Sequence, residues 1–410
     1  MSGSGAASSG SGAASSGSGA ASSGSGAASS ESGVLFVDHA GVLGGAELSL
    51  LDLAAAFGAG SETLLLAEGP FRTALESRGV KVSVEPLGAL KRVKKETRLP
   101  GPAAFTDAVR IARRVARRAK PHKVIYANSQ KAFVVAAAAG LLARRPVVWH
   151  LRDILAPPHF SGTNVRAAVT LANLRAARVI TNSRATAAAF MAAGGHASLV
   201  RVVHNGIDPA PFDAVTPAAA AATRAALGVP ANAFVVALFG RFHPWKGQQV
   251  LLDALTRLPG VHALFVGAPL FGEEAFASAL QAQAAKTGVA DRAHFLGFRA
   301  DVPELMRASD AVVHASVYPE PFGRVIVEGM LAGRPVIATR AGGVTEIVDD
   351  ETAVLVPPND AEALARAIES LAGDPRHAAA MAARGAARAR KEFSVAAMVR
   401  GVEYAMRDLL

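Results

Sequence analysis

The sequence contains no cysteine, which excludes a disulfide framework, a thiolate nucleophile and a cysteine-ligated metal. Aromatic residues are scarce, at 6% of the chain with two Trp and three Tyr, although hydrophobic residues make up 51%. Ala, Val and Leu therefore carry the apolar content, the composition of a soluble α/β protein. No apolar run reaches the roughly 18 residues that a membrane span requires. The N-terminus lacks the basic start and apolar centre of a signal peptide, so the expected location is cytoplasmic. Acidic residues are short in one half only. Residues 33 to 210 hold 24 Lys and Arg against 11 Asp and Glu, whereas residues 211 to 410 hold 19 against 21. The net charge of +10 thus sits in the first half. Such asymmetry can mark nucleic-acid binding, but no recognition motif or aromatic interleaving accompanies it, and nucleic acid is not an expected partner.

What is present begins with repetition. Residues 2 to 29 are four copies of SGSGAAS, in which every position is small or polar. Nothing could be buried between such segments, so residues 1 to 32 read as a flexible tether. Beyond it, short apolar runs alternate with helical patterns, which predicts parallel sheets covered by helices. The expected strands are 34–38, 63–67, 80–85, 124–127, 147–150, 179–181 and 200–203, then 234–239, 261–266, 294–296, 311–314 and 335–339. A chain of 410 residues can hold two such domains. Between the third and fourth strands lies a basic region, with Lys91, Arg92, Lys94, Lys95 and Arg98 ahead of a helix over 103–119. Its apolar face would be Phe105, Ala108, Ile111, Ala112, Val115 and Ala119, opposite Arg110, Arg113, Arg114, Arg117 and Arg118. Residues 91 to 120 then form either a solvated face or a surface for an acceptor or an anionic membrane.

The most informative stretch is Tyr318 to Glu346, YPEPFGRVIVEGMLAGRPVIATRAGGVTE. Glu320 lies in a loop pinned by Pro319 and Pro321, and Gly323 precedes a helix over Arg324–Leu331. A helix start leaves unpaired N–H groups and a favourable dipole, which together suit phosphate. The strand 335–339 leads to Gly342-Gly343 and a second helix expected to open at Glu346. Two glycine-led helix starts beside one strand describe the ligand edge of a doubly wound sheet. Glu328, inside the first of these helices, has Val325, Ile326, Val327, Met330 and Leu331 around it. A carboxylate in that setting needs a donor, such as a ligand hydroxyl.

The pattern Glu320-PFGRVIV-Glu328, followed by Gly-x-Pro-Val and Gly-Gly-x-x-Glu, resembles the retaining glycosyltransferases of family 4, which have the GT-B fold. Gly44-Gly45-Ala46-Glu47 and Asn205-Gly206-Ile207-Asp208 resemble further segments of that family, extending the match over most of residues 33 to 410. The resemblance implies two doubly wound, Rossmann-like α/β domains facing across a cleft. It divides the chain into an acceptor-side domain over 33–212, a nucleotide-sugar domain over 213–392, and a helix over 393–410 crossing back to the first. It implies a nucleotide-sugar donor held by Arg241 and Lys246 at the diphosphate, Glu320 at the sugar hydroxyls and Glu328 at the ribose. Gly44, Gly45, Phe322, Gly323 and Arg324 would line the phosphate region, and Phe298 belongs to the segment whose backbone meets the base. His150 falls where family members often carry an active-site histidine, although a histidine at a strand end can also be structural. Asp153 is a less certain neighbour that could instead pair with Arg152. No metal or further cofactor is expected, and the acceptor would be a glycan, a lipid-linked species or a small molecule. A non-catalytic nucleotide-sugar-binding protein and a nucleotide-sugar epimerase on the same architecture are the alternatives.

Overall fold

The structure is a computed structural model and describes residues 33–87, 102–157, 160–270 and 272–410. The N-terminal repeat, the basic run 91 to 98 and the Phe105 side chain lie outside the described residues. The first sheet comprises β1 (Val34–Asp38), β2 (Glu62–Leu65), β3 (Val82–Val84), β4 (Val124–Ala127), β5 (Val147–Leu151), β6 (Arg178–Thr181) and β7 (Val200–Val202). The second comprises β8 (Phe234–Phe239), β9 (Val261–Val266), β10 (Ala293–Gly297), β11 (Ala311–His314), β12 (Val336–Thr339) and β13 (Val354–Val356). The strand orders are 3-2-1-4-5-6-7 and 10-9-8-11-12-13, and neighbouring strands run parallel. Most strands are buried on both faces, which is why they read as unbroken apolar runs rather than alternating ones. In each sheet the order reverses once, between β1 and β4 and between β8 and β11. Loops diverge at such a switch point and leave a crevice at the carboxyl ends of the strands, where ligands bind in this class of sheet.

Each sheet is covered by helices on both faces, giving two apolar clusters per domain. One cluster of the first domain is completed from the far end of the chain. Met398, Val402, Ala405 and Met406, from the helix Val395–Met406, pack with Val34, Phe36 and Leu50. The crossing is fastened where Ile207 N donates to Phe393 O at 2.8 Å, and Ser394 caps the helix by accepting from Ala397 N. The helix expected over 393–410 runs from Val395 to Met406, and the separate helix Pro375–Glu392 ends just before Phe393. The strand β13 was not among the expected strands. The helix after Gly343 opens at Val344, not at Glu346, and runs only to Ile347.

The helix Pro102–Ala119 is amphipathic as expected, with Ile111, Ala112, Val115 and Ala119 buried and Arg110, Arg113, Arg114, Arg117 and Arg118 exposed. Three of the five arginines are paired, Arg110 with Asp107, Arg114 with Glu85 and Arg118 with Glu62. No helix among the described residues is long and apolar enough to cross a membrane.

Candidate active site

The second domain brings its charged residues together at the switch point of its sheet. After β8 the chain passes through Gly240 to Arg241, then through the short turn Pro244–Lys246 to Gly247. Gly247 has φ 73°, and a methyl group there would stand 1.9 Å from Ala315 O. Only glycine allows the turn to approach the end of β11 this closely, and the approach delivers Lys246 to Glu320. Lys246 Nζ donates to Glu320 Oε1 at 2.5 Å, Ser316 Oγ donates to the same oxygen at 2.7 Å, and His314 Nε2 is 3.8 Å away. Burial works against the Glu320 charge, yet Lys246 and His314 hold the carboxyl well below the ordinary range. Arg241 is half-buried, which lowers its pKa against the fields of Glu273, Glu320 and, from the first domain, Asp153. A guanidinium keeps its charge in that setting.

The glycine pair at 342–343 serves the loop that carries Glu320. Gly343 N donates to Glu320 O at 2.8 Å, and at Gly342, with φ 63°, a methyl group would meet the same oxygen at 2.4 Å. These glycines hold the Glu320 loop by backbone contact. The helix Arg324–Leu331 starts at Gly323 with no side-chain cap, leaving its first N–H groups directed past the glycine. Arg324 itself spans the two domains. Its Nε is 3.3 Å from Glu328 Oε1, and its Nη1 donates to Ser49 Oγ at 3.0 Å and lies 3.5 Å from Gly206 O. Glu328 is thus ion-paired with Arg324 without a hydrogen bond from Arg324 Nε. Phe322 turns inward, 2% exposed, with its ring against His204 and Phe393, so it offers the cleft only backbone. Phe298 is 81% exposed just beyond β10.

The first domain faces the same cleft with a connected polar network. A polar residue follows each of four strands: Asp38 closes β1, Asn128 follows β4, Arg152 follows β5 and Asn205 follows β7. Asn128 Nδ2 donates to Asp38 Oδ2 at 2.5 Å, Arg152 Nε to Asn128 Oδ1 at 2.7 Å, and Arg152 Nη1 to Asn205 Oδ1 at 2.7 Å. Arg152 is therefore engaged by two asparagines, and the Asp153 charge bears on Arg241 across the cleft. His150 lies in β5 and is fully buried. Its Nδ1 meets the Tyr126 hydroxyl, and its Nε2 has no hydrogen-bond partner among the described residues. Burial, with Arg152 beside it, keeps the imidazole pKa well below the ordinary value and the ring neutral. Gly44 and Gly45 open the helix Gly45–Phe57, and a methyl at Gly45 would stand 3.2 Å from Arg324 Cδ.

Asp38, Asn128 and Arg152 were not singled out as site residues from the sequence, and Glu47 and Asn205 entered only as members of two resembling segments. For Asp38, Asn128 and Arg152 the signal was a polar residue at or directly after the end of an apolar run. Glu346, read there as the last residue of the glycine motif, clasps the domains. Its carboxylate accepts from Arg184 N at 2.8 Å and Ala185 N at 2.9 Å, at the start of the helix Arg184–Ala192, and meets His204 Nε2 at 3.0 Å. Those N–H groups are ones a helix start leaves unpaired, and a carboxylate suits the dipole there.

Two family models match the chain: Glycosyl transferase 4-like domain over residues 44–206 and Glycosyl transferases group 1 over 220–388. Among solved structures, Anabaena HepE in complex with UDP and glucose superposes with a TM-score of 0.85 at 41% identity, covering 92% of this chain and all of that one. A second structure of HepE holds UDP-glucose. Among curated relatives, the D-inositol 3-phosphate glycosyltransferase of Mycobacteroides abscessus is 39% identical over 175 residues, 42% of this chain and 39% of that protein. The lipopolysaccharide core biosynthesis glycosyltransferase LpsE of Rhizobium meliloti is 39% identical over 166 residues, 40% of this chain and 47% of that protein. The match thus spans less than half the length of these two relatives.

Proposed function

The chain belongs to the glycosyltransferases of the GT-B fold, and we propose that it moves a sugar from a nucleoside diphosphate sugar to a hydroxyl acceptor, with retention and without a metal ion. The observation that carries the reading is the cluster at the second switch point: Arg241, the Lys246–Glu320 pair and the uncapped helix start at Gly323. When the sugar leaves, the diphosphate gains charge, and preorganised cations and N–H groups are the strongest available stabilisers. Arg241, Lys246, the N–H groups beyond Gly323 and the backbone at Gly44-Gly45 would take that charge. On donor binding Lys246 moves from Glu320 to phosphate, and Glu320 turns to sugar hydroxyls. Glu328 holds the ribose, and the backbone near Phe298 meets the base. His150, with one ring nitrogen unpartnered, supports the acceptor face. The HepE complexes favour UDP-glucose as the first donor to try.

The acceptor side remains the first domain, with a glycan, lipid-linked or small-molecule acceptor. Arg113 and Arg117 are exposed without an ion-pair partner among the described residues and would meet an anionic bilayer at the inner face of the membrane. A panel of UDP-, GDP- and ADP-sugars scored by thermal unfolding tests the donor, since a ligand at 100 times its Kd adds about 2.7 kcal/mol. Nuclear magnetic resonance of the product's anomeric proton decides between retention and inversion, and turnover in chelator decides the metal.

A further inference from the structure

The edge of the second sheet opposite the cleft carries cations that the donor site does not use. Arg224 extends from the helix Pro217–Ala226, Arg307 from the helix Val302–Ala308, and Arg334 from the segment between the helix Arg324–Leu331 and β12. Together with Asp310, which directly precedes β11, they line a cavity of about 390 Å³. Pro217 and Ala220 give it an apolar wall. Ala233, Asp310 and Pro335 stand just before β8, β11 and β12, three parallel strands, so the cavity lies at their amino ends. Arg241 and Glu320 lie beyond the carboxyl ends of the same sheet.

One of the three arginines has a structural task. Arg224 Nη1 donates to Asp310 Oδ2 at 2.9 Å and to Ala308 O at 3.0 Å, and its Nη2 donates to Ala233 O at 2.5 Å. Asp310 Oδ2 also accepts from Val235 N at 2.7 Å. The pair therefore ties the starts of β8 and β11 together, and it engages the one carboxylate that lines the cavity. Arg307 and Arg334 have no such task. Among the described residues the Arg307 side chain makes no hydrogen bond or ion pair, and the Arg334 side chain donates only to Arg307 O, through Nη2. The Nε atoms of both are buried without partners, so contact with a ligand falls to Nη1 and Nη2 of Arg307 and Nη1 of Arg334. Asp213 feels the Arg307 charge, yet its carboxylate is held by Arg390 through two hydrogen bonds.

Arg334 is half-buried, and that burial, with Arg307 and Arg224 beside it, lowers its pKa against the field of Asp310. A guanidinium stays charged in that setting, so three cations face one carboxylate. Like charges gathered in a partly desolvated pocket repel one another until an anion neutralises them.

We propose that this cavity binds a phosphate dianion, with Arg307 and Arg334 donating to its oxygens. The excess of two positive charges matches a doubly charged group, and planar guanidinium forks suit the paired oxygens of phosphate. A volume of about 390 Å³ is in the range of small-molecule sites. It leaves room along the apolar wall for the body of a small phosphate monoester, and inorganic phosphate is the other source of the same group. Cavity and cleft occupy opposite edges of the sheet, so anion and donor bind without competing, and the site stands whether or not the cleft transfers sugar.

The test titrates the full chain by calorimetry at low ionic strength, with inorganic phosphate and with glycerol 3-phosphate. Wild type is compared with Arg307→Gln, Arg334→Gln and Arg241→Ala, and melting curves show that each variant is folded. Arg224 is left in place because it ties the strands. Wild type and Arg241→Ala are expected to bind both probes alike, whereas Arg307→Gln and Arg334→Gln should each weaken binding on the order of tenfold or more, as the loss of a charged hydrogen bond does. At about pH 5 the glycerol 3-phosphate affinity of the wild type should fall by up to about tenfold, because the ester takes up its second proton near pH 6. Tighter binding of glycerol 3-phosphate than of inorganic phosphate identifies a monoester as the ligand, and equal or weaker binding identifies free phosphate; either upholds the site. No binding of either probe to the folded wild type overturns the proposal. So does equal affinity in wild type and Arg307→Gln, the variant that removes no contact from the fold. A loss in Arg241→Ala without one in Arg307→Gln places the anion in the cleft and overturns it as well.

Discussion

The two domains present their switch points to one cleft, and they do so with different kinds of polarity. The second domain shows half-buried charges paired in a way that a ligand can exchange: Lys246 on Glu320, Arg324 on Glu328. The first shows a buried network in which Asp38, Asn128, Arg152 and Asn205 hydrogen-bond to one another, with Arg152 Nη2 left without a partner among the described residues, next to a neutral His150. Half-buried ion pairs can be remade when phosphate arrives, whereas a buried hydrogen-bonded network loses bonds by rearranging. Under the proposed function, the second domain would neutralise charge and the first would orient the partner.

The largest expected effect breaks the exchangeable side. Lys246→Ala should lower turnover by on the order of 100-fold, and it should also destabilise the fold by about 1 to 3 kcal/mol, since Glu320 is left without its cation. The Glu320 carboxyl is held below its ordinary pKa, so its stabilisation is complete above the unfolded value of about 4.3 and is lost as pH falls toward the folded value. Melting curves of wild type and variant should therefore converge on acidification below about pH 4. Equal gaps at pH 7 and pH 3 would show that the pair does not carry the difference.

The clasp between the domains comes next. Glu346→Gln removes the charge that meets His204 and two helix N–H groups, and an intermediate loss of about tenfold in kcat/KM is expected from a cleft that closes less often. Because the residue orders the closed form and leaves the charge-bearing groups in place, kcat at saturating donor should fall less than kcat/KM. A uniform fall in both would place Glu346 in the chemistry and erase the distinction between the two sides.

The smallest effect concerns the outer face of the first domain. Changing Arg113 or Arg117 to Gln should weaken sedimentation with anionic vesicles by about fivefold each, at about 1 kcal/mol per charge, and high salt should abolish the binding as the Debye length shrinks. The paired Arg110, Arg114 and Arg118 should matter less. Unchanged turnover of soluble substrate in the double variant separates this face from the cleft. Indifference of the wild type to anionic vesicles at low salt removes the membrane reading.

The contrast also accounts for what the sequence disclosed. Strands such as Val34–Asp38 and Phe234–Phe239 match their expected bounds because double-sided burial writes them as continuous apolar runs. The strand Val354–Val356 escaped because it has three residues and follows a polar turn held by Asp349 and Thr352. On the donor side Glu320, Gly323, Arg324 and Glu328 are neighbours in the chain, so one local string exposed them. The network of the first domain is assembled from residues far apart in sequence, and no local pattern joins Asp38 to Asn205. Partners were harder still. Sequence placed Glu328 and Arg324 on one helix but could not say that Arg324 would turn to Glu328 and Ser49, nor that Phe322 would face His204.

The proposed grip of the second domain on a nucleoside diphosphate rests first on Arg241. Thermal unfolding of wild type and Arg241→Ala with and without UDP tests it most directly. UDP should raise the wild-type midpoint, by about 2.7 kcal/mol of stabilisation at 100 times its Kd, and Arg241→Ala should melt normally alone yet gain much less. An equal gain in both proteins, or none in the wild type with UDP or any other nucleoside diphosphate, would contradict it.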